Sequence, residues 1–354
     1  MACEFSCRRG SSVLLGGGPG RVFLILNLLL TAPALAQQGQ KPNTSSGPVP
    51  LPRVRAVLLP YDQVSFQVDG KELIRYHYGQ ALNRPFIYPV NGPSSGYSLT
   101  AMGTPNDPEE HSHHSSLWIS HQSVNGVDFW EDPNTVGSGK ILHKRHERMT
   151  QGADSSSILT TNAWLGPDGT ALIKEMRRIE LQLLKDGEYV IVLDLKLEAR
   201  EKPVTLGQSI FGILGARMAN VADVKKGAGI IRNSEGATNE SEVLGKHARW
   251  VDYSTAMTSE ITEGITIFDH PSNPNYPSPF TVRDTGWMGP ALTQDVSLTI
   301  PQSKPLRLRY GVYVHRGTPS ATEIQKHWEE FVAPPLPELI PKPSSYPELR
   351  TPRF

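Results

Sequence analysis

Residues 179–198 read Ile179-Glu180-Leu181-Gln182-Leu183-Leu184-Lys185-Asp186-Gly187-Glu188-Tyr189-Val190-Ile191-Val192-Leu193-Asp194-Leu195-Lys196-Leu197-Glu198. Ile179, Leu181 and Leu183 alternate with Glu180 and Gln182. Tyr189, Ile191, Leu193, Leu195 and Leu197 alternate with Val190, Val192, Asp194, Lys196 and Glu198. A period of two belongs to a strand, because successive side chains point to opposite faces of a sheet. Between the two runs, Lys185-Asp186-Gly187 supplies residues that tolerate positive φ where a hairpin must reverse. Long strands with one apolar face need a second layer to cover them, so this stretch predicts sheet-on-sheet packing.

Upstream, Val64-x-Phe66-x-Val68, Asp69-Gly70 and Leu73 to Tyr78 predict another hairpin. Arg84-Pro85-Phe86-Ile87-Tyr88-Pro89-Val90 reads as extended, and proline at both ends argues against a helix and against a central strand. Lys140 to Met149 and Ser157 to Leu165 are strand candidates, closed by a Gly166-Pro167-Asp168-Gly169 turn. Downstream candidates are Gln208 to Met218, Gly229 to Asn233, Ala248 to Tyr253, Ile265 to His270, Phe280 to Asp284, Val296 to Ile300 and Leu306 to His315. One helix stands out, with Thr318 as N-cap, Pro319 in its first turn, and Ile324, Trp328 and Phe331 on one stripe. About a dozen strands and one late helix predict an all-β protein, a large antiparallel β-sandwich with one C-terminal α-helix, over residues 53–332. The tail 333–354 holds seven prolines in 22 residues and is expected to lie extended over the surface.

The chain has 354 residues, with 35 basic and 35 acidic side chains. Arg8, Arg9 and Arg21, the apolar run Val22 to Leu30 and Ala34-Leu35-Ala36 form the pattern of a signal peptide over 1–36. Secretion or a periplasmic location is expected, with cleavage after Ala36. The leader would remove three basic residues and one acidic one, leaving about −2, which gives no footprint for nucleic acid. Both cysteines, Cys3 and Cys7, fall in that leader, so the mature chain folds without disulfides or thiolate ligands. Residues 37–52, with four prolines, read as a disordered linker, and no later run is long enough to span a membrane.

Candidate chemistry concentrates between Pro105 and Trp130, where His111, His113, His114 and His121 sit beside Trp118, Trp130, Glu109, Glu110 and Asp128. Imidazoles grouped on a loop entering a strand mark a site for proton transfer or metal binding, or else a solvated surface loop. His111 and His113, two apart on a strand, would share a face while His114 points away. With His121 they are the candidate ligands for a divalent Cu, Zn or Fe ion. Trp118, Trp130 and Trp287 suit either sugar stacking or the core. Arg84 and Arg217 suit a carboxylate or phosphate, and equally a structural pair. Asp269 and His270 end a strand before a Pro/Asn loop, His315 ends the last long strand, and Glu175 lies in a charged segment where a solvated face is the default.

Several longer motifs, taken together, carry a resemblance. They are Arg84-Pro-Phe-Ile-Tyr-Pro, His113-His114-Ser-Ser-Leu-Trp-Ile-Ser-His121, Asn125-Gly-Val-Asp-Phe-Trp130, Asp269-His270-Pro and Tyr310-Gly-Val-Tyr-Val-His315. In this order the chain resembles the PmoA-like family of secreted bacterial proteins of the planctomycete type. The family label points to methane oxygenase, whose membrane subunit needs long apolar spans that this sequence lacks. The resemblance implies a supersandwich like that of galactose mutarotases and a small-molecule or oligosaccharide substrate. It also implies a histidine acid drawn from His113, His114 and His121, with Asp269 or Glu175 as base. Substrate contacts would then come from Arg84, Trp118, Asp128, Trp130, Arg217, His270, Trp287 and His315. The first reading is thus a secreted carbohydrate-active enzyme, a mutarotase-like sugar epimerase, lyase or hydrolase; a His-ligated metalloenzyme or oxygenase and a noncatalytic glycan- or partner-binding module are the other two.

Overall fold

A computed structural model describes residues 51–104, 111–131 and 137–341. The expected signal peptide, most of the linker, Glu109, Glu110 and the end of the tail lie outside the described residues. The strands are β1 (Val54–Leu59), β2 (Gln63–Val68), β3 (Lys71–His77), β4 (Phe86–Val90), β5 (Leu117–His121), β6 (Lys140–Gln151), β7 (Ser155–Leu165), β8 (Ala171–Leu183), β9 (Tyr189–Ala199) and β10 (Val204–Leu206). They continue with β11 (Ser209–Arg217), β12 (Ile230–Asn233), β13 (Lys246–His247), β14 (Trp250–Ala256), β15 (Thr262–Asp269), β16 (Pro279–Arg283), β17 (Trp287–Thr293), β18 (Leu298–Ile300) and β19 (Leu306–Arg316). The α-helices among the described residues are the five-residue α1 (Asn239–Val243) and the longer α2 (Ala321–Val332), beside two single 3-10 turns at Lys185–Gly187 and Asn220–Ala222.

Two antiparallel sheets form the sandwich, one ordered β1-β2-β3-β4-β5-β11-β17-β16-β13 and the other β12-β14-β15-β19-β9-β8-β7-β6. One continuous core fills the space between them, with Phe66, Ile119 and Leu214 from the first sheet meeting Ile158, Ile191 and Val312 from the second. The 179–198 stretch folds as the β8–β9 hairpin, paired from Ile179↔Leu193 to Leu183↔Tyr189, with Asp186 and Gly187 both at positive φ. The alternation there is what makes the fold, since apolar residues on one face can reach the core only if an opposing layer covers them.

Three expectations are corrected. β4 is an interior strand between β3 and β5, despite its prolines, because it pairs with β5 only through Phe86 and Ile87, and Pro89 lies beyond that ladder. Helix α2 is capped by Ser320, two residues later than expected, because Ser320 and Glu323 form a reciprocal capping box. Glu175 is on the core face of β8 instead of a solvated one. It accepts from Trp164 Nε1 at 2.6 Å and Asn162 Nδ2 at 3.2 Å, and pairs with the buried Arg177. Strand β17 escaped the sequence reading, since Gly289 and Pro290 interrupt its pattern. The stripe on α2 docks as its spacing predicts, with Ile324 and Phe331 packing on Val190, Val192, Phe268 and Tyr313 of the outer face of the second sheet.

Candidate functional site

On the first sheet, the face turned away from the core carries a second apolar cluster of Phe86, Trp118, Trp130 and Trp287. Directly opposed residues in an antiparallel pair share a face. Two cross-strand rows therefore lie side by side, Phe86↔Trp118↔Gly215 and Arg217↔Trp287↔Arg283. Gly215 is needed because two indoles cross β11 above it; a Cβ there would stand 2.7 Å from Trp118 and 2.8 Å from Trp130. Ring centroids are 5.0 Å apart for Trp118 and Trp130, 5.6 Å for Trp130 and Phe211, and 5.8 Å for Trp130 and Trp287.

Two residues expected to touch substrate instead hold this arrangement. Arg84 donates from Nη1 to the Trp130 carbonyl at 2.7 Å and from Nη2 to the Glu131 carbonyl at 2.9 Å. Asp128 Oδ1 accepts the backbone N–H of Trp130 at 2.6 Å and of Glu131 at 3.1 Å, which closes a local turn. Together they pin Phe129 to Glu131 over the sheet.

The loop before β5 lays three histidines on the same cluster. His111 and His114 stack at 4.6 Å, His113 meets His114 edge-on at 4.5 Å, and His114 stacks on Trp118 at 5.3 Å. This corrects the expected pairing of His111 with His113 on a strand face. The segment is a turn, so the period of two does not apply, and His111 and His113 stand 6.4 Å apart, steeply inclined. His114 is pushed down to about 2, first by burial and then by the charges of His113, His111, Arg217 and Arg84. It is therefore a neutral hydrogen-bonding group at any ordinary pH. His113 Nδ1 lies 3.6 Å from Glu131 Oε2. Around these groups opens a recess of about 280 Å³ lined by His111, His113, His114, Trp130, Glu131, Phe211, Arg283 and Trp287. Glu131, Phe211 and Arg283 were not singled out in the sequence. Only the position of Glu131, next to the motif ending in Trp130, could have signalled it.

Four expected partners lie elsewhere. His121 follows the parity of Leu117 and Ile119, not of Trp118, and is wholly buried. Its Nδ1 accepts from the Ser123 N–H at 3.0 Å, leaving Nε2 to donate to Thr293 Oγ1 at 2.8 Å, and burial holds it down to about 4. The ligand set His111, His113 and His121 is thus not assembled. Among the described residues no three His, Cys, Asp or Glu side chains are placed to hold a metal. Asp269 belongs to the second sheet and staples the loop after β15, accepting from the His270 N–H at 2.9 Å, Asn273 Nδ2 at 2.7 Å and the Ser278 N–H at 2.7 Å. His270 binds back on Ser272 and sets its ring against Phe331 of α2 at 5.5 Å. His315 is also on the second sheet, with Nε2 at 2.8 Å from Asp252 Oδ1.

No curated protein matches the sequence. Among solved structures, a human-microbiome protein provisionally named a kojibiose phosphorylase is similar at 12% identity over 80% of this chain, with a TM-score of 0.33. The chain spans 37% of that structure's length. The motifs that led to an expected PmoA-like assignment fall inside the match to a different family, and that finding replaces the assignment. Over residues 63–329 the sequence fits the family of unknown function DUF6807, and the chain belongs to that family.

Proposed function

We propose that the recess on the outer face of the first sheet binds a sugar ring, with His113 and Glu131 exchanging a proton with a bound hydroxyl. The observation that carries this reading is the two-sidedness of the recess. Trp130, Trp287 and Phe211, in mutual ring contact, supply its apolar lining, and His113, Glu131 and Arg283 supply polar groups. A pyranose has the same division, an apolar face and a polar edge. At about 280 Å³ the recess is at the small end of ligand pockets, which run from about 300 to 1,000 Å³, so it suits one ring. Trp130 and Trp287 are almost wholly buried, so each indole offers only a small part of its surface to a ligand.

Glu131 Oε2 stands 3.6 Å from His113 Nδ1, so a carboxylate and an imidazole, a pair able to give and take a proton, sit together at the recess. His114, neutral and stacked, orients the ligand without acting as the acid. The test is to incubate the protein with single anomers of common aldoses and follow anomer ratio by NMR and binding by tryptophan fluorescence. Wild type is expected to do both, and His113→Gln to keep binding while losing about 10²–10⁴-fold in rate. Fluorescence quenching without any anomer exchange would reduce the site to a binding module, and no response to any sugar would end the proposal.

A further inference from the structure

Among the described residues four arginines are buried: Arg84, Arg177, Arg217 and Arg309. Arg177 faces Glu175 at 2.5 Å, Arg309 faces Asp194 at 3.2 Å, and Arg84 is spent on two backbone carbonyls. Arg217 is different. It is 7% exposed, its Nη1 is covered without a hydrogen-bond partner, and among the described residues no carboxylate pairs with it. A buried cation without a counter-charge is costly, and proteins retain one where a ligand supplies the anion. Arg217 is directly opposite Trp287 in the β11–β17 ladder, and Trp287 is opposite Arg283, so two guanidiniums flank an indole of the recess; Arg283 lines the recess itself, and Arg217 stands next to two residues that do, Trp287 and His114. Two further nitrogens here, Trp287 Nε1 and His114 Nδ1, are also buried without partners.

We infer that the recess selects a sugar bearing a carboxylate, a uronate, with Arg217 as the buried anchor of that carboxylate. This rests on the sugar-site reading above. The charge count favours a monoanion. Glu131 already faces His113, Glu240 already faces Arg283 at 3.6 Å, and His114 adds no charge, so the charge of Arg217 is the one that no carboxylate among the described residues answers and that no backbone carbonyl accepts from. A planar carboxylate fits a guanidinium fork in bidentate fashion.

The experiment measures affinity of the whole protein for glucuronate, galacturonate, glucose, galactose, glucose 1-phosphate and acetate, by fluorescence titration and thermal shift. Uronates are expected to bind at least 10-fold more tightly than the matching neutral sugars. Arg217→Gln should bring uronate affinity down to the neutral-sugar value, leave neutral-sugar affinity unchanged, and raise or preserve the ligand-free melting temperature, because it removes an unpaired charge. Arg217→Lys serves as a second variant if the first does not fold. Equal binding of uronates and neutral sugars, or a preference for the sugar phosphate, overturns the inference while the sugar site stands. Uronate and acetate binding without any neutral-sugar binding removes the sugar reading and leaves the carboxylate anchor.

Discussion

The two outer faces of the sandwich use the same side chains to opposite ends. On the second sheet, Asp252, His315 and Arg232 form a buried network in which every carboxylate lone pair is used. Oδ1 accepts from Thr266 Oγ1 at 3.0 Å and faces His315 Nε2 at 2.8 Å; Oδ2 accepts from Arg232 Nη2 at 2.5 Å and Ser254 Oγ at 2.9 Å. Gly264 makes room for it, since a Cβ there would stand 2.6 Å from the His315 ring. On the first sheet, Gly215 makes room for two indoles in the same manner, but His114, Trp287 and Arg217 each keep a buried nitrogen without a hydrogen-bond partner, and the first two line a recess. Residue type alone would have marked both as sites. Arg232 Nε on the second face is also without a partner, so what separates a brace from a site is whether the groups with capacity to spare line an opening.

The comparison breaks most sharply at Asp252. Replacing it with Ala strands Arg232 and His315, and is expected to cost about 3–5 kcal/mol in urea denaturation; Arg217→Gln in the same assay should cost almost nothing. If both are equally destabilising, Arg217 is structural and the two faces do not differ in this respect.

Acid should act next, and on the first face. His114 is held near 2 against an unfolded value of about 6.5. A lowered histidine means that the unfolded chain binds the extra proton, so stability falls as pH drops below about 6.5 and continues to fall toward 2. At pH 5 this one group accounts for about 2 kcal/mol, and His121 adds to it. Asp252, by contrast, is held below its ordinary value, burial being outweighed by His315 and Arg232. Its contribution is present above about 3.8 and is lost only as pH falls through the lower folded value. Urea midpoints between pH 7 and 4 check this; a flat profile down to pH 4.5 would contradict it.

Gly215→Val is expected to cost about 1–3 kcal/mol by overpacking Trp118 and Trp130, and to abolish sugar binding at the recess. Retained binding would mean that the indole arrangement is not what shapes the recess. The smallest effect is expected at the cap of α2. Ser320→Ala should cost about 1 kcal/mol and leave binding at the recess unchanged, since the helix covers only the second face.

Much of this was legible in one dimension. The alternation in 179–198, the Asp69-Gly70 and Asp186-Gly187 turns and the stripe Ile324, Trp328 and Phe331 each rest on local geometry, and each appears in the fold. Parity even separates His121 from Trp118, because they are three residues apart on one strand. It does not say which side is core, since Leu117 to His121 is buried on both faces. Asp269, His270 and His315 looked like companions of His113 only because all end a strand near a loop. Their distance follows from sheet order, which places β15 and β19 in the second layer.

The sequence by itself determined an antiparallel sandwich and the dense run of imidazoles and indoles, because strand period, turn chemistry and composition are properties of neighbours along the chain. The tertiary structure alone decided which histidines share a surface, that Glu131 and not Asp269 stands beside His113, and that among the described residues no carboxylate reaches the buried Arg217. Those depend on which distant strands pair and on what fails to arrive at a given atom, and a missing partner leaves no mark in the order of residues.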